Sequence, residues 1–204
     1  MKVTAVIPAY NEAARIYGVI RTVIPYVDNV IVVDDGSLDT TSWVAEEAGA
    51  KVITNNGGKG YIGAIKTGFK EANGDIIITL DADGENNPEE IFLLTWPIIN
   101  GKADLVLGKR KKIARISERL ISFVTKLKTG VTDSGTGFRA MKKEMALKLN
   151  LRGRCICGIS VLEANHLGAR ITEVPITINN IDKKRKIAWH HILQLCYVLK
   201  WVIK

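Results

Sequence analysis

The chain predicts an α/β protein: a Rossmann-like, mixed but mainly parallel sheet flanked by helices. Two observations carry this. Short apolar runs rich in Val and Ile recur through the first 110 residues, separated by stretches of about ten residues with helical periodicity. Each run also ends in a turn of Pro, Asp, Gly or Asn, so the loops that follow the strands gather on one edge of the sheet.

Taken in order, Val3-Thr-Ala-Val-Ile7 is the first strand, and Pro8-Ala-Tyr-Asn-Glu12 breaks it before a helix that runs to Ile24. Val30 to Val33 is a second strand, ending in Asp34-Asp35-Gly36-Ser37. Asp39 or Thr40 caps the next helix, which stops near Gly49. Lys51 to Ile53 is a third strand, followed by the loop Asn55-Asn-Gly-Gly-Lys-Gly60 and a helix over Tyr61 to Ala72. Asp75 to Leu80 is the fourth strand and Leu105 to Leu107 a later one. From 113 to 128 apolar residues recur at Ile113, Ile116, Leu120, Phe123 and Leu127, a helical stripe. Thr132 to Gly137 is a loop leading into Phe138-Arg139-Ala-Met141, Glu163 to Leu167 is helical, and Arg170 to Ile176 is an edge strand. No linker or repeat interrupts 204 residues, so a single catalytic-size domain over 1–182 is expected, with 183–204 as a basic amphipathic helical appendage.

The amino-terminal apolar stretch is too brief for a signal peptide, and no apolar segment reaches the ~20 residues of a spanning helix. A cytoplasmic chain, peripheral at the cytoplasmic face of the membrane, is expected. Three cysteines argue against a disulfide framework. Cys155 and Cys157 have no His or Cys nearby in sequence at zinc-ligand spacing, and all three read as reduced thiols without a catalytic role. The net charge of +8 concentrates in Lys109 to Lys112 and Lys183 to Lys186. Both runs precede amphipathic patterns, which favours an anionic membrane surface. Nucleic acid is not expected, because no helix-turn-helix, zinc or aromatic RNA-binding signature accompanies the charge.

The chemistry concentrates in the loops. Asp81-Ala-Asp83 directly follows the apolar run Ile76 to Leu80, placing two carboxylates at the sheet's carboxyl edge. Carboxylates that close repel unless a cation lies between them, and Mg²⁺ takes oxygen ligands of this kind together with substrate phosphates. Asp35 offers an acceptor for the N–H edge of a nucleobase. Tyr10 and Pro8 offer flat surface, Glu12 a carboxylate for a ribose hydroxyl, and Lys59, between glycines, an approach to a base or phosphate. Arg110 and Arg139, each at the end of a strand-like segment, suit bidentate phosphate contacts.

In these segments the sequence resembles the family 2 glycosyltransferases of the GT-A fold. The matching stretches are Val6-Ile-Pro-Ala-Tyr-Asn-Glu12, Val32-Val-Asp-Asp-Gly-Ser-Leu-Asp-Thr40, Asn56-Gly-Gly-Lys-Gly60 and Asp81-Ala-Asp-Gly-Glu-Asn-Asn-Pro-Glu89, in the family's order. Within the family it looks most like the dolichol-phosphate mannose and glucose synthases, through Gly108-Lys-Arg110, Asp133-Ser-Gly-Thr-Gly-Phe-Arg139 and Glu173-Val-Pro-Ile176. The resemblance implies a nucleotide-sugar donor and Mg²⁺ or Mn²⁺ on Asp81 and Asp83, with Glu85 joining them. It also implies phosphate contacts by Arg110 and Arg139, and inversion at the sugar.

Two departures refine the expectation. The Gln-x-x-Arg-Trp motif of processive synthases is absent. There is also no clear carboxylate pair to serve as general base for a sugar-hydroxyl acceptor, Glu163 being the nearest. A polyprenyl or dolichyl phosphate is already ionised and needs none. The expected activity is hexose transfer from GDP-mannose or UDP-glucose to a lipid phosphate at the membrane surface, which helices 113–128 and 187–204 would contact. Core packing or a contact between copies of the chain is the other use of those faces. The rivals are transfer to a soluble or protein acceptor with Glu163 or Asp133 as base, a sugar-1-phosphate nucleotidyltransferase, and a non-catalytic nucleotide- or membrane-binding protein.

Overall fold

A computed structural model describes residues 1–113, 115–179 and 189–203. The basic run Lys183 to Lys186, expected to meet an anionic surface, lies outside the described residues. The strands are β1 (Val3–Ala9), β2 (Asn29–Asp34), β3 (Lys51–Thr54), β4 (Ile76–Thr79), β5 (Leu105–Arg110), β6 (Arg139–Lys142) and β7 (Ile171–Ile176). They form one seven-stranded sheet in the order β3-β2-β1-β4-β6-β5-β7. β3, β2, β1 and β4 pair in parallel, as do β5 and β7, while β6 runs antiparallel between β4 and β5. This is the mixed, mainly parallel sheet expected. The antiparallel insertion is the part that the apolar pattern did not specify.

The central strands are apolar on both sides because helices cover both faces. Alternation along each strand divides the core. Ala5, Ile7, Ile76 and Ile78 pack with α1 (Ala13–Val23), α2 (Thr41–Glu47) and α4 (Ile91–Ile99). Val6, Ile31, Val33 and Ile77 pack on the other face with α3 (Gly60–Glu71), α6 (Lys143–Lys148) and α7 (Ile159–His166). A third cluster of Ile121, Val124, Leu162 and Val198 joins α5 (Ile116–Thr129), α7 and α8 (Trp189–Ile203).

Several boundaries differ from the sequence reading for identifiable reasons. β5 extends to Arg110 because β7 pairs alongside it as far as Arg110 opposite Ile176. Pro175 is tolerated in β7 because that strand lies at the sheet's edge. The helix expected from 113 starts at Ile116 and ends at Gly130, whose φ of 75° makes a left-handed cap. α4 had no counterpart in the sequence reading. It is apolar nearly all round and carries Pro97 inside, which together erase the amphipathic signal.

Candidate active site

The cleft forms where strand ends meet. The loops after β1, β2, β4 and β5 leave the same edge, and β6, running the other way, begins there: Thr79 of β4 pairs with Arg139. The 133–137 loop is thereby laid against Asp81. Thr79 Oγ1 donates to the Gly137 carbonyl at 2.7 Å. A Cβ at Gly137 would lie 2.6 Å from Asp81 Oδ2, so only glycine admits the carboxylate this close.

Asp81, Asp83, Glu85 and Arg110 line one cavity of about 270 Å³, together with Tyr61, Arg115, Glu118, Cys155, Cys157 and His191. Asp83 is buried at 6% exposure, and its Oδ1 accepts the Glu85 backbone N–H at 3.0 Å. Asn86 Oδ1 accepts the Asp81 N–H at 3.1 Å, closing the loop as a compact turn. Tyr61 OH lies 3.4 Å from Asp81 Oδ1; burial, then the charge of Asp81, pushes the phenol well above its ordinary range. It is a neutral donor. Three oxygen-donor carboxylates on one cavity wall are the ligand chemistry that suits a hard divalent cation.

The arginines behave differently from one another. Arg110 makes a bidentate pair with Asp133, Nε to Oδ2 and Nη2 to Oδ1 both at 2.8 Å, and its Nη1 lies 3.0 Å from Glu118 Oε2. Burial opposes its charge, but the hydrogen bonds and attraction of Asp133 and Glu118 outweigh that and raise its pKa. Asp133 is in turn held by Glu173 of β7, whose oxygens accept the N–H groups of Thr132 at 2.9 Å and Asp133 at 2.7 Å. Glu118 carried no signal in the sequence, and Asp133, a candidate base there, is an ion-pair partner here. Both Asp133 oxygens are occupied by the guanidinium. Glu173→Gln should lower stability by about 1–2 kcal/mol by weakening two part-buried charge-assisted bonds. Denaturant unfolding measures it, and an unchanged midpoint would remove Glu173 from this relay.

Arg139 requires a correction. It begins β6 instead of ending a strand, is 0% exposed, and does not line the cavity. Its Nη1 donates to Ser160 Oγ and its Nη2 to the Thr136 carbonyl, while Nε has no partner among the described residues. Burial above all lowers its pKa. In this arrangement it braces the loop behind Asp81. Pro8 is a second correction: it is buried within β1 opposite Val33, so its ring presents no surface. Tyr10 does, at 56% exposure. Asp35 is partly exposed at the end of β2, where Oδ1 accepts the Lys59 N–H at 2.8 Å and Asn55 Nδ2 at 3.2 Å. Glu12 pairs with Arg15 at 2.9 Å. Glu163 sits apart, in another cavity with Lys148, Arg152 and Lys200, where burial raises its pKa.

Residues 4–145 match the family model described as glycosyl transferase family 2. The chain belongs to that family. This glycosyltransferase is 34% identical over 209 residues to the UDP-N-acetylglucosamine–dolichyl-phosphate N-acetylglucosaminyltransferase of Methanococcus voltae, covering 84% of this chain and 83% of that one. It is 31% identical over 205 residues to the undecaprenyl-phosphate mannosyltransferase of Micrococcus luteus, covering 87% and 83%. It is 28% identical over 234 residues to the dolichol-phosphate mannosyltransferase of Pyrococcus furiosus, covering 98% and 64%. Among solved structures, glucosyl-3-phosphoglycerate synthase from Mycobacterium tuberculosis with Mn²⁺, UDP-glucose and phosphoglyceric acid superposes with a TM-score of 0.83 at 21% identity, covering 98% and 79%. At that identity the likeness is one of fold, the GT-A arrangement.

Proposed function

We propose that this glycosyltransferase moves a hexose from a nucleotide sugar to a polyprenyl or dolichyl phosphate at a membrane surface. One observation carries the acceptor. α5 leaves the cavity edge with Ile116, Leu120, Phe123 and Leu127 exposed along one face, spaced by three or four residues, and Leu127 is 67% exposed. Arg115 at its start lines the cavity with Asp81 and Asp83. α8 packs on α5 and exposes Leu193 and Tyr197. A lipid lying along α5 would therefore bring its phosphate to the carboxylates and Arg110. Lys126 and Lys128 at the helix end suit anionic head groups. Among the described residues no helix is long and apolar enough to cross a membrane. In this reading residues 1–182 are the catalytic domain, and the 183–204 appendage adds α8, whose His191 closes the cavity while Leu193 and Tyr197 are exposed toward the membrane. The relatives named for dolichyl- and undecaprenyl-phosphate acceptors support the same class.

Asp81 and Asp83, with Glu85, would hold Mg²⁺ or Mn²⁺, which when bound neutralises charge on the leaving diphosphate. Asp35, Lys59 and Tyr10 hold the nucleoside, with Glu12 beside the ribose. A phosphate oxygen of the acceptor attacks the anomeric carbon, the bond to the diphosphate oxygen breaks with its electron pair, and the configuration inverts. The residues contribute mainly placement and electrostatic support. An ionised phosphate needs no base. This agrees with the separation of Glu163 from the cleft and the engagement of Asp133 by Arg110.

Transfer of labelled sugar from GDP-mannose, UDP-glucose and UDP-N-acetylglucosamine to a vesicle-borne polyprenyl phosphate tests the reading, with phosphoglycerate as the soluble competitor. Label should appear in the lipid. Introducing Phe123→Asp and Leu127→Asp together should reduce vesicle association about tenfold or more while leaving nucleotide binding intact. Labelling of the soluble acid alone would overturn the lipid assignment.

A further inference from the structure

The cleft contains a second ligand set of different chemistry. Cys155, Cys157 and His191 each offer an atom within 4.8 Å of the other two. All three line the cavity of Asp81 and Asp83. Sequence spacing hid the arrangement, because His191 comes from α8 while the thiols lie in the loop before α7. That loop is clamped from α8. Gln194, 0% exposed, accepts the Arg154 and Cys155 N–H groups on Oε1 at 2.9 and 3.3 Å, and donates Nε2 to the Cys157 carbonyl at 3.1 Å. Gly153, at φ 104°, makes room for it, since a Cβ there would lie 2.3 Å from Oε1. Gln194 follows His191 by one helical turn, so one face of α8 both clamps the thiol loop and supplies the imidazole. His191 Nδ1 lies 2.8 Å from Ser117 Oγ, so one ring nitrogen is held from α5 while the other can serve an ion. Histidines that bind zinc use their other nitrogen in this way.

We propose that Cys155, Cys157 and His191 bind a zinc-class ion through three protein ligands, with the fourth position open to the cleft. Zn–S of about 2.3 Å and Zn–N of about 2.0 Å place tetrahedral ligand atoms about 3.5–4 Å apart, so the trio closes with movements of about 1 Å. Thiolate and imidazole select zinc, whereas the carboxylates of Asp81, Asp83 and Glu85 suit Mg²⁺ or Mn²⁺, so the two sites do not compete for one ion. Both thiols belong to the loop that Gln194 clamps through the Cys155 N–H and the Cys157 carbonyl. Binding the ion releases their protons to solvent and leaves a charge-neutral centre of two thiolates and one neutral imidazole. The open position takes water, or a phosphate oxygen bound in the cleft.

The test is metal binding by the full chain with its thiols kept reduced. Dialysis against Zn²⁺ followed by elemental analysis should give stoichiometric zinc. Replacement by Co²⁺ should give tetrahedral d–d bands and a thiolate charge-transfer band. Cys155→Ser and His191→Gln should abolish that spectrum, and Ser117→Ala should weaken binding about tenfold or more by freeing the imidazole. Cys155 is only half-buried, so its variant is expected to fold and keeps the test decisive. Absence of zinc from the reduced wild-type chain, or zinc retained by both ligand variants and lost in Asp83→Asn, would overturn the site. None of these readouts depends on turnover or on the acceptor.

Discussion

Asp83→Ala should reduce glycosyl transfer about a thousandfold or more while the fold persists. Asp83 is nearly fully buried on the cavity wall, and its Oδ1 also accepts the Glu85 N–H at 3.0 Å. Alanine removes both the ligand and that acceptor, so part of any loss is loop disorder. Asp83→Asn separates the two effects, because the amide oxygen keeps the Glu85 bond while the charge is lost. If the carboxylate acts through a divalent ion, asparagine should be almost as damaging to rate and should cost only about 1 kcal/mol of stability. Initial rates, together with nucleotide thermal shifts measured with and without Mn²⁺, give both quantities. Wild-type turnover in Asp83→Asn would remove the metal assignment.

Asp133→Ala should be the most destabilising single change at the site, by about 3–5 kcal/mol. Asp133 is 1% exposed, and its two oxygens receive the Arg110 backbone N–H at 3.1 Å and two guanidinium donors at 2.8 Å. Truncation strands a cation whose side chain is only 14% exposed, with Glu118 its remaining partner. For a chain of this size the change corresponds to a fall in melting temperature of roughly 10 °C. Asp133→Asn keeps the shape and one acceptor, so its loss should be smaller, about 2 kcal/mol. Equal, small effects of both substitutions in denaturant unfolding would mean that Glu118 alone suffices to hold Arg110.

Arg110 shows why a motif is legible while its role is not. Its position after an apolar run marks it as a strand-end residue at the ligand edge, and the structure puts it there. What the run does not contain is Glu118 or Glu173. The first reaches Arg110 from α5 and the second through the 132–133 backbone. The expectation of an arginine waiting for phosphate thus becomes that of an arginine already charge-compensated, whose donors are oriented before any ligand arrives. Arg139 departs further. Nothing in Phe138-Arg139-Ala-Met141 states the strand's direction, and direction alone decides whether the arginine ends a strand at solvent or begins one inside.

The local pattern of residues determined the alternation of strands and helices, the edge on which the loops collect, and the carboxylates at the end of β4. Periodicity and turn chemistry act over a few residues, and that range is enough for these features. The stripe of α5 was legible for the same reason. Tertiary structure decided the antiparallel setting of β6, the burial of Arg139 and Pro8, the clamp of Asp133 and Glu173 on Arg110, and the meeting of Cys155 and Cys157 with His191. Each of these depends on two or more segments far apart in the chain arriving at one place. Side-chain spacing along the sequence carries no record of that approach, because the packing of the helices and the pairing order of the sheet set it.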